Sequence, residues 1–252
     1  MGGRRVVSAL LALAILGAGP DRLALNLRQT VVVLTYHDVI PRRTAASEWF
    51  DCSVSELQDQ IRGMERAKVH FITLEQLYRY LSAGAALPSR PVCITFADNY
   101  LGYYTYALPI LRRHHIPSAQ FVHTGFVGSP IGRPKLTWAE LAEIDRAGDV
   151  TIGSQTVTHP PDLRTLSDAG LRKEMTESKR ALESHLHHPV RFLAYPNGKF
   201  DSRCERAAAR AGYAMACSEV TRPANLSPNL FAVNRYVHTK WQGALQHVTG
   251  DR

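Results

Sequence analysis

From residue 31 onward, short apolar segments alternate with amphipathic segments of helical period. Several of the apolar segments are almost free of polar residues, which is typical of parallel strands that helices cover on both faces. Apolar strands that alternate with helices are the pattern of a parallel α/β fold. Seven segments have the length of strands, namely 31–36, 92–96, 119–123, 150–153, 192–195, 214–217 and 232–236.

The nucleotide-binding motifs of open α/β sheets do not occur in this sequence. No G-x-G-x-x-G follows the first predicted strand, and the chain has no P-loop. We therefore predict an α/β fold that closes into a distorted (β/α) barrel of about seven parallel strands, similar to a TIM barrel. Helix-capping residues support the alternation, because each stands directly before an amphipathic segment: Ser53, Thr73, Thr137, Ser167 and Asp201.

The first 19 residues differ in character from the rest of the chain. Arg4 and Arg5 precede a run of uncharged, mostly apolar residues, and small residues follow at Ala18 and Gly19. This order predicts a signal peptide over 1–19, a linker over 20–30 and one folded domain over 31–252. Export to the periplasm, the cell envelope or the medium would follow. An uncleaved anchor or a buried first helix is the alternative, and no later segment is suited to crossing a membrane.

The chain carries a formal net charge of +8, but its basic residues are dispersed along helical segments and form no nucleic-acid-binding motif. We therefore predict no nucleic-acid partner. The four cysteines lack the C-x-x-C spacing of a zinc cluster. Pairing in an oxidising compartment remains open, with Cys204 and Cys217 the nearest in sequence, whereas Cys93 lies within a predicted strand and is expected to be a buried thiol.

Polar and ionisable residues follow five of the predicted strands. In a (β/α) barrel the reactive groups gather at the carboxyl ends of the strands, so these residues are expected to lie close together. A single histidine at a strand end is usually a hydrogen-bonded structural residue, but five such ends favour a functional site. The residues concerned are His37 with Asp38, Asp98, His123, Gln155 with His159, and the turn formed by 195–198.

The sequence at these strand ends resembles that of a known enzyme family. The segments "TFADN", "GSQTVTH" and "LAYPNG" stand where polysaccharide deacetylases have T-F-D-D-G, H-[ST]-x-x-x-H and a proline-containing motif. This family is carbohydrate esterase family four, with the NodB-type homology domain. "LTYHDV" and "AYPNG" resemble in particular the branch that deacetylates poly-N-acetylglucosamine in biofilms. The resemblance covers residues 31–240 and implies a distorted barrel that acts on an N-acetylated polysaccharide.

The resemblance also implies a metal-dependent chemistry. In the family a divalent metal, usually zinc, is held by one aspartate and two histidines, and the preceding aspartate is the general base. By position, Asp98 and His159 match metal ligands of the family. Gln155 stands where the first metal histidine belongs, Ala97 stands where the base belongs, and Asn99 replaces the usual glycine.

Other family positions are retained in this chain. His37 matches the histidine that protonates the leaving amine, and the backbone N–H of Asn197 matches the oxyanion donor. The proline motif that contacts substrate corresponds to Tyr195, Pro196, Asn197 and Gly198. The resemblance therefore assigns substrate contact to all four of these residues.

The departures from the family motifs bear on activity. Loss of a general base typically lowers a rate by about 10²–10⁴. A carboxamide is a poorer zinc ligand than an imidazole, so zinc binding is expected to be weakened. His123 is a candidate additional ligand, although a hydrogen-bonded histidine at the barrel rim is the commoner role. Asp38 is a candidate base, but adjacent strand residues point to opposite faces, so it is not expected to share a site with His37.

These observations predict an exported polysaccharide deacetylase-like protein that acts on or binds N-acetylated glycans. One alternative is a non-catalytic carbohydrate-binding or accessory protein of the cell envelope or biofilm matrix. A more remote alternative is a barrel with a different hydrolytic chemistry that uses His37 and His123. The identity of the glycan and the oligomeric state stay open.

Overall fold

The computed structural model describes residues 22–24 and 27–250. The predicted signal peptide over 1–19 lies outside the described residues, and the predicted linker over 20–30 lies only partly within them. The strands are β1 (Val32–Tyr36), β2 (Val39–Ile40), β3 (Cys52–Ser53), β4 (His70–Ile72), β5 (Pro91–Phe96), β6 (Ser118–Val122), β7 (Val150–Ser154), β8 (Phe192–Ala194), β9 (Met215–Cys217) and β10 (Tyr236–Val237). The α-helices are α1 (Val54–Arg66), α2 (Leu74–Ala83), α3 (Leu108–Arg113), α4 (Trp138–Ala147), α5 (Asp168–Leu186), α6 (Ser202–Arg210) and α7 (Trp241–Thr249).

The main sheet is parallel throughout and has the strand order β10-β1-β5-β6-β7-β8-β9. β4 was not predicted from the sequence. It pairs with the first half of β5, through Pro91–Cys93, while β6 pairs with the second half. β2 and β3 form a separate two-stranded sheet. The predicted distorted (β/α) barrel is therefore confirmed.

The last predicted strand, over 232–236, is realised only in part. Val233 makes an isolated parallel bridge with Cys217 of β9, and β10 then pairs with β1. Between these contacts the backbone N–H of Asn234 donates to the Ser227 hydroxyl at 2.9 Å, which takes it out of the strand pairing. This segment nevertheless connects the two ends of the sheet and closes the barrel.

The helices begin where the capping residues predict. Ser53, Thr73 and Thr137 each form a reciprocal capping box with the residue three positions later. Ser167 and Asp201 cap α5 and α6 by accepting backbone N–H groups. These caps define the start of each helix after its strand, and so define the lengths of the loops at the carboxyl end of the barrel.

Alternate residues of the strands contribute to two apolar clusters. Val33, Cys93 and Phe121 belong to the cluster inside the barrel, whereas Leu34 and Phe96 belong to the cluster between the sheet and the helices. All four cysteines are buried and unpaired. Within the part of the chain that the structure describes, no helix combines the length and apolar character needed to span a membrane.

Candidate functional site at the carboxyl end of the barrel

The alternation within β1 and β5 determines which residues face the mouth of the barrel. Thr35 and Thr95 lie opposite each other and point inward, so His37 and Ala97 point to the same side two residues later. Asp38 points away and pairs with Arg133 at 3.0 Å. The structure therefore brings His37 and Ala97 together at the mouth, and Asp38 is engaged elsewhere.

Asp98 and His159 are in direct contact at this mouth. The Oδ1 atom of Asp98 lies 3.3 Å from Nε2 of His159. Both residues have left-handed backbone conformations, with φ of 67° and 51°, and these turn the side chains off their strands. Burial alone would raise the pKa of Asp98, but His159 and His37 hold it below its ordinary value. The carboxylate is therefore ionised and faces an imidazole directly.

Gln155 supports the turn after β5. Its side-chain oxygen accepts the backbone N–H of Asp98 at 2.8 Å, and the residue is only 2% exposed. The side-chain oxygen of Gln155 is the atom that would coordinate a metal, and it is occupied by this hydrogen bond to the backbone of the neighbouring loop. The structure thus places Gln155 beside Asp98, in a hydrogen-bonding role.

Asn99 and His123 form a second set of contacts behind Asp98. The Asn99 side-chain oxygen accepts the backbone N–H of His123 at 3.2 Å. Nε2 of His123 lies 2.9 Å from the backbone oxygen of Asp98, which also accepts a hydrogen bond from Lys135 at 2.9 Å. Burial, reinforced by Lys135, lowers the pKa of His123 to about 4, so this imidazole is neutral and donates to the carbonyl.

The donor set does not fit a tightly held zinc ion. In the described part of the chain, no group of three His, Cys, Asp or Glu side chains is arranged to hold a metal. Asp98 and His159 supply two donors, whereas structural and catalytic zinc sites use three or four protein ligands. The oxygen of Gln155 is engaged by Asp98, and Nε2 of His123 contacts a carbonyl.

Glu219 and Arg235 belong to the site, although the sequence analysis did not identify them. Nε2 of His37 lies 3.8 Å from the Glu219 carboxylate, which lies 3.9 Å from Arg235 Nη2. Arg235 is fully buried and donates to the Ser218 carbonyl at 2.8 Å. Burial lowers the pKa of His37, opposed by Asp98 and Glu219. Two features of the sequence point to these residues: Arg235 is a lone arginine in an apolar segment, and Glu219 is an acidic residue that follows β9.

The proline motif forms a tight turn after β8. Asn197 and Gly198 have φ of 55° and 62°, and a Cβ atom at position 198 would lie 2.7 Å from Cβ of Glu219. Only glycine allows this close approach. Pro196 and Tyr195 are buried, and the Tyr195 ring stacks on Phe200 at 4.6 Å. Tyr195 thus supports the turn from within the core, and the exposed Asn197 is the member that a ligand can reach.

An aromatic surface lies beside His37. The rings of Trp49 and Phe50 are 6.1 Å and 5.7 Å from the His37 ring, and Trp49 is 62% exposed. Tyr100 stacks on Phe50 at 6.2 Å, and the Lys135 ammonium lies 3.3 Å from the Tyr100 ring centroid. We call Trp49, Phe50 and Tyr100 the aromatic wall. It gives the mouth an apolar side next to its ionisable groups.

The aromatic wall is anchored by a half-buried cation. Arg133 contacts both carboxylate oxygens of the fully buried Asp51, with 2.9 Å between its Nη2 and Oδ2 of Asp51. The same guanidinium lies 5.1 Å from the centroid of the Phe50 ring. A bidentate guanidinium–carboxylate pair has a restricted geometry, so it orients the loop that carries Trp49 and Phe50.

The sequence of this chain is similar to those of known proteins. A family model described as polysaccharide deacetylase matches residues 84–216. The YxkH protein of Bacillus subtilis (strain 168), named for the same family, is 28% identical over 145 residues, covering 57% of this chain and 50% of the relative. A poly-beta-1,6-N-acetyl-D-glucosamine N-deacetylase of Staphylococcus aureus (strain MSSA476) is 26% identical over 193 residues, covering 70% of this chain and 65% of the relative. The chain thus spans less than two thirds of the length of either relative.

Solved structures have the same fold. The deacetylase PplD of Streptococcus pyogenes, in complex with acetate, superposes with a TM-score of 0.78 at 24% identity and covers 87% of this chain and 98% of its own. IcaB from Ammonifex degensii gives a TM-score of 0.76 at 24% identity, with 88% and 97% covered. The fold agrees with these structures, and the family model matches more than half of the sequence. This chain belongs to the polysaccharide deacetylase family.

Proposed function

We propose that this protein binds N-acetylated glycans at the carboxyl end of its barrel without hydrolysing their acetamide groups at a measurable rate. The observation that carries this proposal is the pairing of Asp98 with His159 and Gln155, next to an alanine at position 97. These contacts replace the arrangement of base and metal ligands that the family motif specifies.

The first argument concerns the proton acceptor. Ala97 is fully buried and offers no group that can take a proton from an attacking water. Asp38, the nearest carboxylate in sequence to His37, is held by Arg133 on the other side of the strand. The loss of a positioned general base lowers a rate by about 10²–10⁴, so any hydrolysis here is expected to be slower by that factor than in a complete site.

The second argument concerns the metal. When a metal is bound in the family, it polarises the acetamide carbonyl and lowers the pKa of a bound water. In this chain Asp98 and His159 remain available to a metal, but the side-chain oxygen of Gln155 accepts the backbone N–H of Asp98 in the turn. Nε2 of His159 lies 3.3 Å from Oδ1 of Asp98, and this buried oxygen has no hydrogen-bond partner among the described residues, so the two side chains offer a metal two donors where zinc sites use three or four protein ligands.

The third argument concerns the parts of the site that bind sugar. The exposed Trp49 stands beside His37, and sugars commonly pack their apolar C–H face on aromatic rings. The backbone N–H of Asn197, in the turn after β8, is the group that would donate to an acetamide oxygen. These features support binding of an N-acetylated sugar without requiring its hydrolysis.

A second candidate function is slow deacetylation. It is favoured by one observation, the retention of His37 within 3.8 Å of Glu219. Burial lowers the pKa of His37, whereas Asp98 and Glu219 favour its protonated form, and a protonated histidine is the group that donates a proton to a leaving amine. We propose export from the cell for either function, because Arg4 and Arg5 precede an apolar segment of signal-peptide length. Amino-terminal sequencing of the exported protein tests this, and an intact residue 1 on the exported protein contradicts cleavage.

The deciding experiment compares the wild type with the double variant Ala97→Asp/Gln155→His. Acetate release from N-acetylglucosamine oligomers and the zinc content of each protein are measured, with each single variant as a control. We expect oligomer binding without measurable turnover in the wild type, and turnover with bound zinc in the double variant alone. Wild-type turnover equal to that of the double variant would overturn the proposed loss of hydrolysis, and absence of oligomer binding would overturn the glycan-binding function.

A further inference from the structure

The outer faces of α5 and α6 enclose a cavity that is separate from the mouth of the barrel. Its volume is about 330 Å³, and apolar atoms of Leu171 and Ala207 contribute to its lining. Arginines from both helices line its sides. They are Arg172 from α5 and Arg203, Arg206 and Arg210 from α6. We call this cavity and its four arginines the arginine groove.

The positive charge of the arginine groove is mostly uncompensated. Arg203 pairs with Asp168, the acidic residue of the lining, at 2.7 Å. Among the residues that the structure describes, Arg172, Arg206 and Arg210 have no ion pair and no side-chain hydrogen bond, and all three are exposed. Three unpaired cations that share one cavity repel each other, and an anion placed between them relieves that repulsion.

The spacing of the arginines suits a linear anion. Arg203, Arg206 and Arg210 are three and four residues apart, so they project from one face of α6 over about 10 Å. Arg172 faces the same space from the other helix. A phosphodiester shares its negative charge between two non-bridging oxygens, which can accept hydrogen bonds from both walls.

One loop lies between the arginine groove and the glycan site. Arg203 Nη2 donates to the backbone oxygen of Leu166 at 2.9 Å, at the groove end of the loop. Asn197 Nδ2 donates to the backbone oxygen of Pro161 at 3.3 Å, at the end nearest the barrel mouth. The loop over 160–167 is therefore in contact with both places, and a polymer that crosses it passes from one to the other.

We propose that the arginine groove binds phosphate groups of the same glycan whose N-acetylated sugar occupies the barrel mouth. The ligand is thus a glycan that carries phosphodiester or phosphomonoester groups. The binding of the sugar part of this ligand rests on the proposed function. The preference for anionic chains rests on the arginine groove.

The test compares two probes that differ by their phosphate groups, an N-acetylglucosamine oligomer and the same oligomer phosphorylated at hydroxyls that are free of glycosidic linkage. Binding to the full chain is measured by calorimetry at low and at high salt. The test variant is Arg172→Gln/Arg206→Gln/Arg210→Gln. The matched control, Arg66→Gln/Arg113→Gln/Arg146→Gln, removes three exposed arginines that lie outside the groove and also lack an ion pair among the described residues.

We expect the wild type to bind the phosphorylated oligomer about 10-fold more tightly than the neutral one at low salt. The groove variant loses this preference and keeps its affinity for the neutral oligomer, while the control variant retains both. Equal affinity of the wild type for the two oligomers overturns the groove proposal, as does an equal loss in the control variant.

Two further outcomes separate this proposal from the proposed function and from other occupants. Arginine-dependent binding of the phosphorylated oligomer without any binding of the neutral one supports the groove and refutes glycan binding at the barrel mouth. Tighter arginine-dependent binding to phosphatidylglycerol vesicles or to duplex DNA than to the phosphorylated oligomer overturns the choice of a glycan.

Discussion

Glu174 of α5 secures the loop that carries His159, although it does not face the barrel mouth. Its Oε2 atom accepts the backbone N–H groups of Val157 and Thr158 at 2.8 and 2.9 Å, and its Oε1 accepts the Thr158 hydroxyl at 2.7 Å. The residue is only 9% exposed. Replacement of Glu174 therefore tests whether this loop depends on a single carboxylate.

The Glu174→Ala change removes the acceptor of three hydrogen bonds and leaves two backbone N–H groups facing a cavity. Each buried donor without a partner costs about 1–3 kcal/mol, and water that enters the cavity recovers part of this. We expect the free energy of unfolding to fall by about 3–4 kcal/mol. Glu174→Gln keeps one acceptor oxygen and is expected to cost about 1–2 kcal/mol.

The assay is urea unfolding followed by tryptophan fluorescence, with binding of the N-acetylglucosamine oligomer as a second readout. Glu177→Ala is the matched control, because Glu177 lies on the same helix, is exposed and has no partner among the described residues. We expect the control to remain within about 0.5 kcal/mol of the wild type. An equally small effect of Glu174→Ala would refute the view that Glu174 holds the loop.

Three further predictions concern pH, thiols and sugar binding. Burial lowers the pKa of His123 and His238 from 6.5 to about 4, so between pH 6.5 and pH 4 the unfolded chain binds more protons than the folded chain. The free energy of unfolding therefore falls as the pH falls through this range. In urea titrations the variant His123→Gln/His238→Gln should lose less stability over this range than the wild type, and an equal loss contradicts this. Burial raises the pKa of the Cys52 and Cys204 thiols to about 12 and 11, so a thiol reagent at neutral pH should label the cysteines only after unfolding, and rapid native labelling contradicts this. Trp49→Ala should leave stability unchanged and weaken binding of the oligomer about 3- to 10-fold in calorimetry, and unchanged affinity would refute a stacking role for Trp49.

The strands and helix starts could be predicted because short-range chemistry determines them. Ser53 and Thr73 each cap a helix through a residue three positions away, so the pattern is visible in a local segment. The family motifs likewise identified Asp98 and His159 as neighbours before any geometry was known, and the structure places them 3.3 Å apart. β4 was missed because it has three residues and only its last is fully buried.

The rest of the site depends on contacts that a sequence does not display. Arg235 donates to Thr35, which is 200 residues away, and Gln155 accepts the backbone N–H of Asp98 across 57 residues. In the sequence alone, an arginine in an apolar segment suggests a residue at the exposed edge of a sheet, whereas the closed barrel buries Arg235 completely. The role of Gln155 also cannot be predicted from the sequence, because a side-chain amide oxygen can either coordinate a metal or accept a backbone hydrogen bond.

The closure of the barrel by its last strand has a consequence for the order of folding. During synthesis β1 emerges early, yet its partner β10 begins only at Tyr236, and the open edge of β9 is covered only when the segment from Leu230 to Val233 is made. Until then both strands present open hydrogen-bonding edges with apolar side chains, which are templates for pairing with other chains. Assembly of the barrel mouth must therefore wait for the carboxyl-terminal segment, and nascent chains that still lack this segment are the ones that need protection from aggregation.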